Sequence, residues 1–166
     1  MKRIITAGIL GFPVLVAAAL VFSQPRVVRR TTTVWADEGT PCSIARAAGN
    51  WSFTDNGTIV SPPLGLRAAV GRFTLDAEGN LVNGMATSSL NGAVTNETFY
   101  GTYSVGHDCT GKIDVKIFSS NVELFEVTLF TAFDNNMKEL RGLFTSVTTP
   151  DGTPLTTVVS LDARKQ

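Results

Sequence analysis

Polar and apolar residues alternate along most of the chain beyond residue 49, as they do in β-strands with one buried face. Between residues 112 and 117, for example, Ile113, Val115 and Ile117 occupy every second position and charged residues occupy the others. No stretch of ten or more residues has the spacing of an amphipathic helix. The pattern therefore predicts an all-β domain.

Turn-forming residues interrupt this alternation at short intervals and divide it into eight segments. Asn91-Gly92 is typical of a tight hairpin turn, since both residues tolerate positive φ. Every connection is short enough for a hairpin, so consecutive strands should pair as antiparallel neighbours. The predicted strands span residues 50–60, 66–76, 80–90, 93–105, 111–119, 122–134, 137–149 and 153–163.

Eight strands linked by hairpins form either a two-sheet sandwich or a closed up-and-down barrel. The predicted strands have nine to thirteen residues, which is long for a small sandwich but suits the tilted strands of a barrel. Closure also removes the two exposed edges that an open sheet would have. The sequence therefore favours an eight-stranded antiparallel up-and-down barrel.

The positions of the two cysteines, Cys42 and Cys109, agree with this topology. Turns in an up-and-down barrel alternate between its two ends. Cys42 precedes the first predicted strand and Cys109 lies in the turn after the fourth, so both fall at the same end, called here the lower end. Cysteines at opposite ends would exceed the Cα separation of about 7 Å that a disulfide allows. The sequence predicts one disulfide, Cys42–Cys109.

The first 41 residues have a different composition from the rest. Lys2 and Arg3 precede an almost wholly apolar run at residues 4–22, and small residues near its end suit signal-peptide cleavage. The run is also near the ~20 residues that span a bilayer, so residues 1–23 are either a signal peptide or an N-terminal membrane anchor. Residues 24–41 lack periodicity and predict a flexible linker, which leaves 42–166 as the barrel domain. Either alternative places this domain outside the cytoplasm, secreted or periplasmic, where disulfides persist.

Charge and composition argue against several function classes. The formal net charge is zero, so a nucleic-acid partner is not expected, and a membrane would be contacted only through an uncleaved N-terminal segment. His107 is the single histidine and lies in a turn beside Cys109, which predicts an exposed residue rather than a base or zinc ligand. The sequence has no phosphate-binding loop, nucleophile elbow or metalloprotease motif. We expect no metal, no cofactor and no catalysis.

The inward face of the predicted barrel is largely aromatic. Glu97 shares the inward parity of Phe99 and Tyr103, and an inward carboxyl has a raised pKa unless a donor such as Arg72 or Arg141 pairs with it. The alternative is that the strand pairing slips and Glu97 faces solvent. Side chains in a barrel of eight strands either fill the interior or leave room for one small ligand, and both remain open. The candidate ligand-lining residues are Phe73, Glu97, Phe99, Tyr103, Phe125, Leu129, Phe133 and Phe144.

The lower end is predicted to be closed and the upper end to be the entrance. Trp51 lies near the start of the first strand, and the last strand ends beside it, so Arg164 is expected to stack on the indole. The alternative for Arg164 is a solvated basic tail. Residues 61–65 lie at the upper end, and their two prolines make them stiff enough to shape its mouth.

Two kinds of resemblance accompany this pattern. Gly49-Asn50-Trp51 is similar to the G-x-W of lipocalins and avidins, calycin-type barrels in which the tryptophan closes one end, and the allene oxide cyclase barrel is an analogue of the same size. Several segments also resemble a set of uncharacterised exported bacterial proteins, a resemblance that implies no activity. These segments are Cys42-Ser43-x-Ala45, Gly49-Asn50-Trp51-x-Phe53, Ala69-Val70-Gly71-Arg72-Phe73-Thr74-Leu75-Asp76, Gly79-Asn80, Asn91-Gly92, Gly101-Thr102-Tyr103-x-Val105 and Asp108-Cys109-Thr110-Gly111.

Three functions follow as hypotheses. The first is a non-catalytic barrel that binds a small apolar or amphipathic molecule in its interior. The second is a structural or surface protein whose filled barrel contacts another macromolecule. The third is an enzyme similar to allene oxide cyclase, for which no matching motif is present.

Overall fold

The computed structural model describes residues 41–61, 64–134 and 136–166. The predicted signal peptide or anchor at 1–23 lies outside the described residues, as do the predicted linker except for its last residue and the two prolines of the segment 61–65. Among the described residues, no helix has the length and apolar character needed to cross a membrane.

The described residues form one short helix and eight strands. The strands close into a barrel in chain order, each antiparallel to the next, and the last strand pairs with the first. The predicted fold class, an eight-stranded antiparallel up-and-down barrel with one disulfide, is confirmed. The elements are α1 (Ile44–Ala47), β1 (Gly49–Ile59), β2 (Gly65–Leu75), β3 (Asn80–Leu90), β4 (Ala93–Val105), β5 (Thr110–Ser119), β6 (Val122–Asp134), β7 (Glu139–Thr148) and β8 (Thr157–Lys165).

The hairpin turns follow from residues that accept positive φ. Asn91 and Gly92, at φ 51° and 87°, form the tight turn between β3 and β4 that the sequence predicts. Ser120 and Asn121 have φ values of 49° and 64° and connect β5 to β6 in the same way. Both turns lie at the upper end, so tight turns hold these strand pairs together there.

The lower end is closed by α1 and the residues around it. Ser43 begins the helix by accepting a hydrogen bond from the backbone N–H of Arg46 at 3.3 Å. The indole N–H of the fully buried Trp51 donates to the carbonyl of Ala47, the last helical residue, at 3.0 Å. The disulfide ties the chain just before this helix to the β4–β5 turn, with a Cα–Cα separation of 5.0 Å. Cys42 and Cys109 therefore meet at the lower end, as the alternation of turns predicts.

The basic residue beside Trp51 is Lys165, which corrects the expectation for Arg164. Trp51 pairs with Lys165 in the β1–β8 ladder, and the Lys165 ammonium lies 6.0 Å from the centre of the indole. Arg164 pairs with Ser52 instead, which places its side chain on the outer face, 3.8 Å from the Glu139 carboxylate. The parity of β8 decides this, because neighbouring residues of a strand face opposite sides of the sheet.

The β7–β8 ladder is short, and the predicted start of β8 at residue 153 is four residues too early. The ladder ends at the pair Leu143–Ser160, so residues 144–146 of β7 and 157–159 of β8 are not paired with each other. Above this break, Pro154 bridges to Thr148, and the Leu155 N–H donates to the Val147 carbonyl. The unpaired stretch is called the β7–β8 seam below.

Candidate functional site

In the part of the chain that the structure describes, three charged side chains lie inside the upper half of the barrel. Asp55 on β1 and Glu97 on β4 are only 3% and 4% exposed, and the side chain of Arg67 on β2 is 9% exposed. Each occupies an inward position of its strand, in alternation with outward neighbours such as Thr54 and Asn96. We call these three residues the Asp55–Arg67–Glu97 cluster.

Arg67 holds both carboxylates in two-pronged hydrogen bonds. Its Nε and Nη2 groups donate to the two oxygens of Asp55, each at 3.2 Å. Its Nη1 and Nη2 groups donate to the two oxygens of Glu97 at 3.2 and 3.1 Å. The hydroxyl of Ser88, on the intervening strand β3, also donates to Glu97 at 2.6 Å. Two-pronged hydrogen bonds between arginine and carboxylates fix the relative orientation of the side chains and are among the stronger hydrogen bonds in proteins.

Burial and ion pairing act in opposite directions on the pKa values of Asp55 and Arg67. Burial raises the pKa of Asp55, and this effect outweighs the opposing attraction of Arg67, while the nearby charge of Glu97 adds to the rise. Burial lowers the pKa of Arg67, but the Glu97 hydrogen bond and the charges of both carboxylates outweigh it, so the net shift is upward. Arg67 thus remains a cation beside a carboxyl group whose ionised form is disfavoured.

We expect Asp55→Asn to raise the free energy of unfolding at pH 7 and to leave it nearly unchanged well below pH 3.8. The raised pKa means that the folded protein holds this proton more tightly than the unfolded chain, whose value is near 3.8. In wild type, the stabilisation that protonated Asp55 contributes is complete below pH 3.8 and is lost as the pH rises through its folded pKa. Asparagine mimics the protonated form at every pH, so the variant keeps this stabilisation. Urea unfolding of both proteins across this pH range measures the difference.

Asp114→Asn is the matched control, with the opposite sign. Although burial acts to raise the pKa of Asp114, hydrogen bonds from Thr128 and Lys112 on the barrel exterior lower it overall. Its stabilisation is present above pH 3.8 and is lost as the pH falls through the folded pKa, so this variant should be less stable than wild type at pH 7. A loss of stability at pH 7 in Asp55→Asn as well would contradict the raised pKa of Asp55.

The cluster lines an internal cavity of about 40 Å³ whose other walls are apolar. A second cavity of about 20 Å³ lies above it and shares the walls formed by Arg67, Ile117 and Phe144. Pockets for drug-sized ligands are roughly 300–1,000 Å³, so side chains fill most of this interior. The remaining lining of the first cavity consists of Phe53, Phe73, Leu81, Phe99, Ile113, Val115, Leu129 and Leu161.

Two glycines make room for the aromatic rings of the cavity. A Cβ at Gly71 would lie 2.6 Å from the ring of Phe53, and one at Gly84 would lie 2.4 Å from the ring of Phe99. The two rings meet edge to face with their centres 5.8 Å apart, one of the preferred arrangements of aromatic pairs. The backbone of β2 and β3 therefore lets these rings fold into the middle of the barrel.

The wall beside both cavities is interrupted by the β7–β8 seam. Phe144 is the first residue of β7 beyond the last ladder pair, is half-buried, and contributes to both cavities. Phe99 is also half-buried, whereas Phe53 and Phe73 are buried. Phe99 and Phe144 are consequently the half-buried aromatic residues of the first cavity, and Phe125 is half-buried in the second.

The structure divides the predicted lining residues among three places. The first cavity is lined by Phe73, Glu97, Phe99, Leu129 and Phe144. Phe125 lines the second. Tyr103 and Phe133 lie at the closed lower end: the Tyr103 hydroxyl lies within hydrogen-bonding distance of the Ile44 and Asp76 carbonyls, and Phe133 packs edge to face on Trp51. Burial, followed by the charges of Asp76 and Glu78, raises the pKa of Tyr103 to about 12, as suits a structural hydroxyl.

Sequence reasoning missed the partners of Glu97. Arg72 lies outside the barrel near Met85. Arg141 also lies outside, near the carboxylates of Asp134 and Asp162, so neither arginine reaches Glu97. The inward parity of Asp55, two residues after Phe53, was a signal that could have identified one member of the cluster. His107 is exposed in its turn, and the described residues contain no group of three side chains arranged to hold a metal ion.

Comparisons with known proteins identify the fold. No family model matches the chain, and no curated protein matches it. Among solved structures, the chain is similar to EF1p2_mFAP2b bound to DFHBI, with a TM-score of 0.52 and 13% sequence identity. The match covers 75% of this chain and 100% of the other. At this identity the similarity shows a common barrel fold alone.

Proposed function

We propose that the protein binds a small apolar or amphipathic molecule inside the upper half of the barrel and does not catalyse a reaction. The observation that carries this proposal is the Asp55–Arg67–Glu97 cluster on the wall of an apolar cavity. Replacing buried ion pairs by apolar side chains is often neutral or stabilising, so stability alone does not account for three charged groups there. Ligand sites in proteins combine an apolar lining with a few placed polar groups, which is the composition of this cavity.

Ligand binding requires the interior to open further than it does in this structure. Phe99 and Phe144 are half-buried, and Phe144 borders the β7–β8 seam, where β7 and β8 are not paired with each other. Movement of these two rings enlarges the first cavity and joins it to the second. The similar barrel EF1p2_mFAP2b, with the same fold, is bound to DFHBI, which supports a barrel of this kind as a ligand carrier.

We further propose that the protein acts outside the cytoplasm. The Cys42–Cys109 disulfide is compatible with an oxidising compartment, and residues 1–23 have the composition of a signal peptide or membrane anchor.

Native mass spectrometry of the protein purified from its own host tests the binding function. We expect a population heavier than the chain by the mass of one bound small molecule. Phe99→Ala and Phe125→Ala should change the bound fraction as well as the stability, because both rings face the interior cavities. His107→Ala, on an exposed turn, should change neither. A wild-type protein that carries no ligand from its host and takes up none from a small-molecule library would contradict the proposal.

One surface observation favours contact with another macromolecule as a second function. Of the charged residues within β1 to β4, only Arg72 lies on the outside, whereas Asp55, Arg67 and Glu97 lie inside. The outer face of these four strands also exposes large apolar residues, including Leu66 at 71% and Val94 at 70%. Exposed apolar patches of this kind mark interaction sites. Sedimentation measures self-association, and pull-down assays measure binding of other macromolecules. If Leu66→Lys and Val94→Lys behave like wild type in both assays, this second function is wrong.

A further inference from the structure

The charged groups inside the barrel do not balance. Among the described residues, the cavity walls carry two carboxyl groups, Asp55 and Glu97, and one cation, Arg67. With both carboxylates ionised, the interior has a net charge of −1. A charge enclosed in an apolar interior is costly unless it is neutralised by a proton or by an opposite charge. Among the described residues no second cationic side chain lines the cavities, so a proton or a bound cation must supply the neutralisation.

The two carboxylates differ in how completely they are satisfied. Glu97 accepts two hydrogen bonds from Arg67 and one from Ser88. Among the described residues, Asp55 accepts only the two from Arg67, although an ionised carboxylate has about four acceptor sites. Like Glu97, Asp55 is almost fully buried and lies on the cavity wall, so Asp55 differs from Glu97 only in its unused acceptor sites. It is therefore the acceptor with spare capacity for a donor that arrives in the cavity.

The surrounding aromatic rings also suit a cation. Phe53 precedes Asp55 by two positions on the same inward face, and Phe99 meets its ring edge to face. Aromatic faces attract an ammonium group, and the attraction is stronger when the group is desolvated. An apolar body attached to that nitrogen would occupy the space beside Phe99 and Phe144.

We infer that the ligand of this site is a small organic cation, an amine or amidine with an apolar body, whose nitrogen binds the Asp55 carboxylate. This inference rests on the proposed binding function and specifies its ligand class. The bound cation would bring the interior charge to zero and would use the free acceptor sites of Asp55. A carboxylic acid ligand, in contrast, would add a second uncompensated negative charge.

Three probes of nearly equal size and shape test the ligand class: benzylamine, benzyl alcohol and benzoate. Dissociation constants are measured by NMR titration of the wild-type, disulfide-bonded protein at pH 7, where benzylamine is a cation. Because hydrogen bonds to charged groups are stronger than those between neutral groups, we expect benzylamine to bind at least about tenfold more tightly than benzyl alcohol. Benzoate should be the weakest of the three.

The same titrations on Asp55→Asn test whether the Asp55 carboxylate is the source of the preference for benzylamine. This variant keeps the Arg67–Glu97 pair and gives the interior a net charge of zero, so benzylamine and benzyl alcohol should then bind within about threefold of each other. Asp114→Asn removes the same charge from the exterior and should retain the wild-type preference. Phe144→Ala, which enlarges both cavities, should strengthen binding of benzylamine and benzyl alcohol and keep their order.

The outcomes separate the inference from the function on which it rests. Benzyl alcohol or benzoate binding as tightly as benzylamine in wild type overturns the cation inference and leaves the binding function intact. A preference for benzylamine that survives in Asp55→Asn also overturns it, because the selectivity then lies elsewhere. If none of the probes binds to either wild type or Phe144→Ala, the inference is wrong, and native mass spectrometry of the protein from its own host decides the proposed function separately.

Discussion

Arg67→Met should lower the free energy of unfolding by about 3–5 kcal/mol at pH 7, the range measured when one partner of a buried ion pair is removed. The variant keeps a long side chain but leaves the Asp55 and Glu97 carboxyl groups almost fully buried and without a cation. Part of the loss should be regained as the pH falls, because the pKa of Asp55 is raised by burial and its carboxyl group then binds a proton. Urea unfolding at pH 7 and at pH 4 measures both effects.

Two further proteins decide whether charge is the cause. Arg72→Met, on the exposed outer face of the same strand, should change stability by no more than about 0.5 kcal/mol. The triple variant Asp55→Val, Arg67→Met and Glu97→Leu removes the whole cluster and should be at least as stable as wild type. A triple variant as unstable as Arg67→Met would show that packing, and not an unpaired buried charge, explains the loss.

Removal of the disulfide by Cys42→Ala and Cys109→Ala should destabilise the protein by about 4 kcal/mol in the chain-entropy account, because the bond closes a loop with a sequence separation of 67. The bond holds the start of the domain, including α1, against the β4–β5 turn. Thermal and urea unfolding of the double variant and of oxidised wild type measure the effect. Chemically reduced wild type should match the variant, and an oxidised wild type no more stable than either would refute the expectation.

The fold could be predicted because the residue patterns that determine the strands and turns lie close together in the sequence. Alternation with a period of two places the strands, and Asn91-Gly92 and similar pairs place the turns, so hairpin pairing leaves few topologies. The start of β8 was misplaced because Pro154, which lacks an N–H, makes one bridge to β7 before the chain crosses to β1 at Thr157. The sequence alone does not show where such a crossing occurs.

The site could be predicted only in part, because its contacts are not local. Parity was enough to suggest the inward orientation of Glu97. It could not show that Arg67, on β2, contacts Asp55 on the neighbouring strand β1 and also Glu97 on β4, two strands away, since the second contact depends on barrel curvature and on the length of the arginine side chain. The choice between Arg164 and Lys165 at Trp51 likewise depended on a register difference of one residue.

Closure of the barrel by β1 and β8 has a consequence for how quickly the protein folds. The Ser52 hydroxyl and the Arg164 carbonyl, which meet across this ladder, are 112 residues apart in the sequence. Bringing such distant segments together carries a large loop-closure entropy, and domains dominated by non-local strand pairing fold in milliseconds to seconds. Hairpins between consecutive strands can form much earlier, so an intermediate with the other strands paired would expose the free edges of β1 and β8. We therefore expect closing of the first strand onto the last to be the late, rate-limiting event, and the period before it to be when the chain is most prone to associate with other copies.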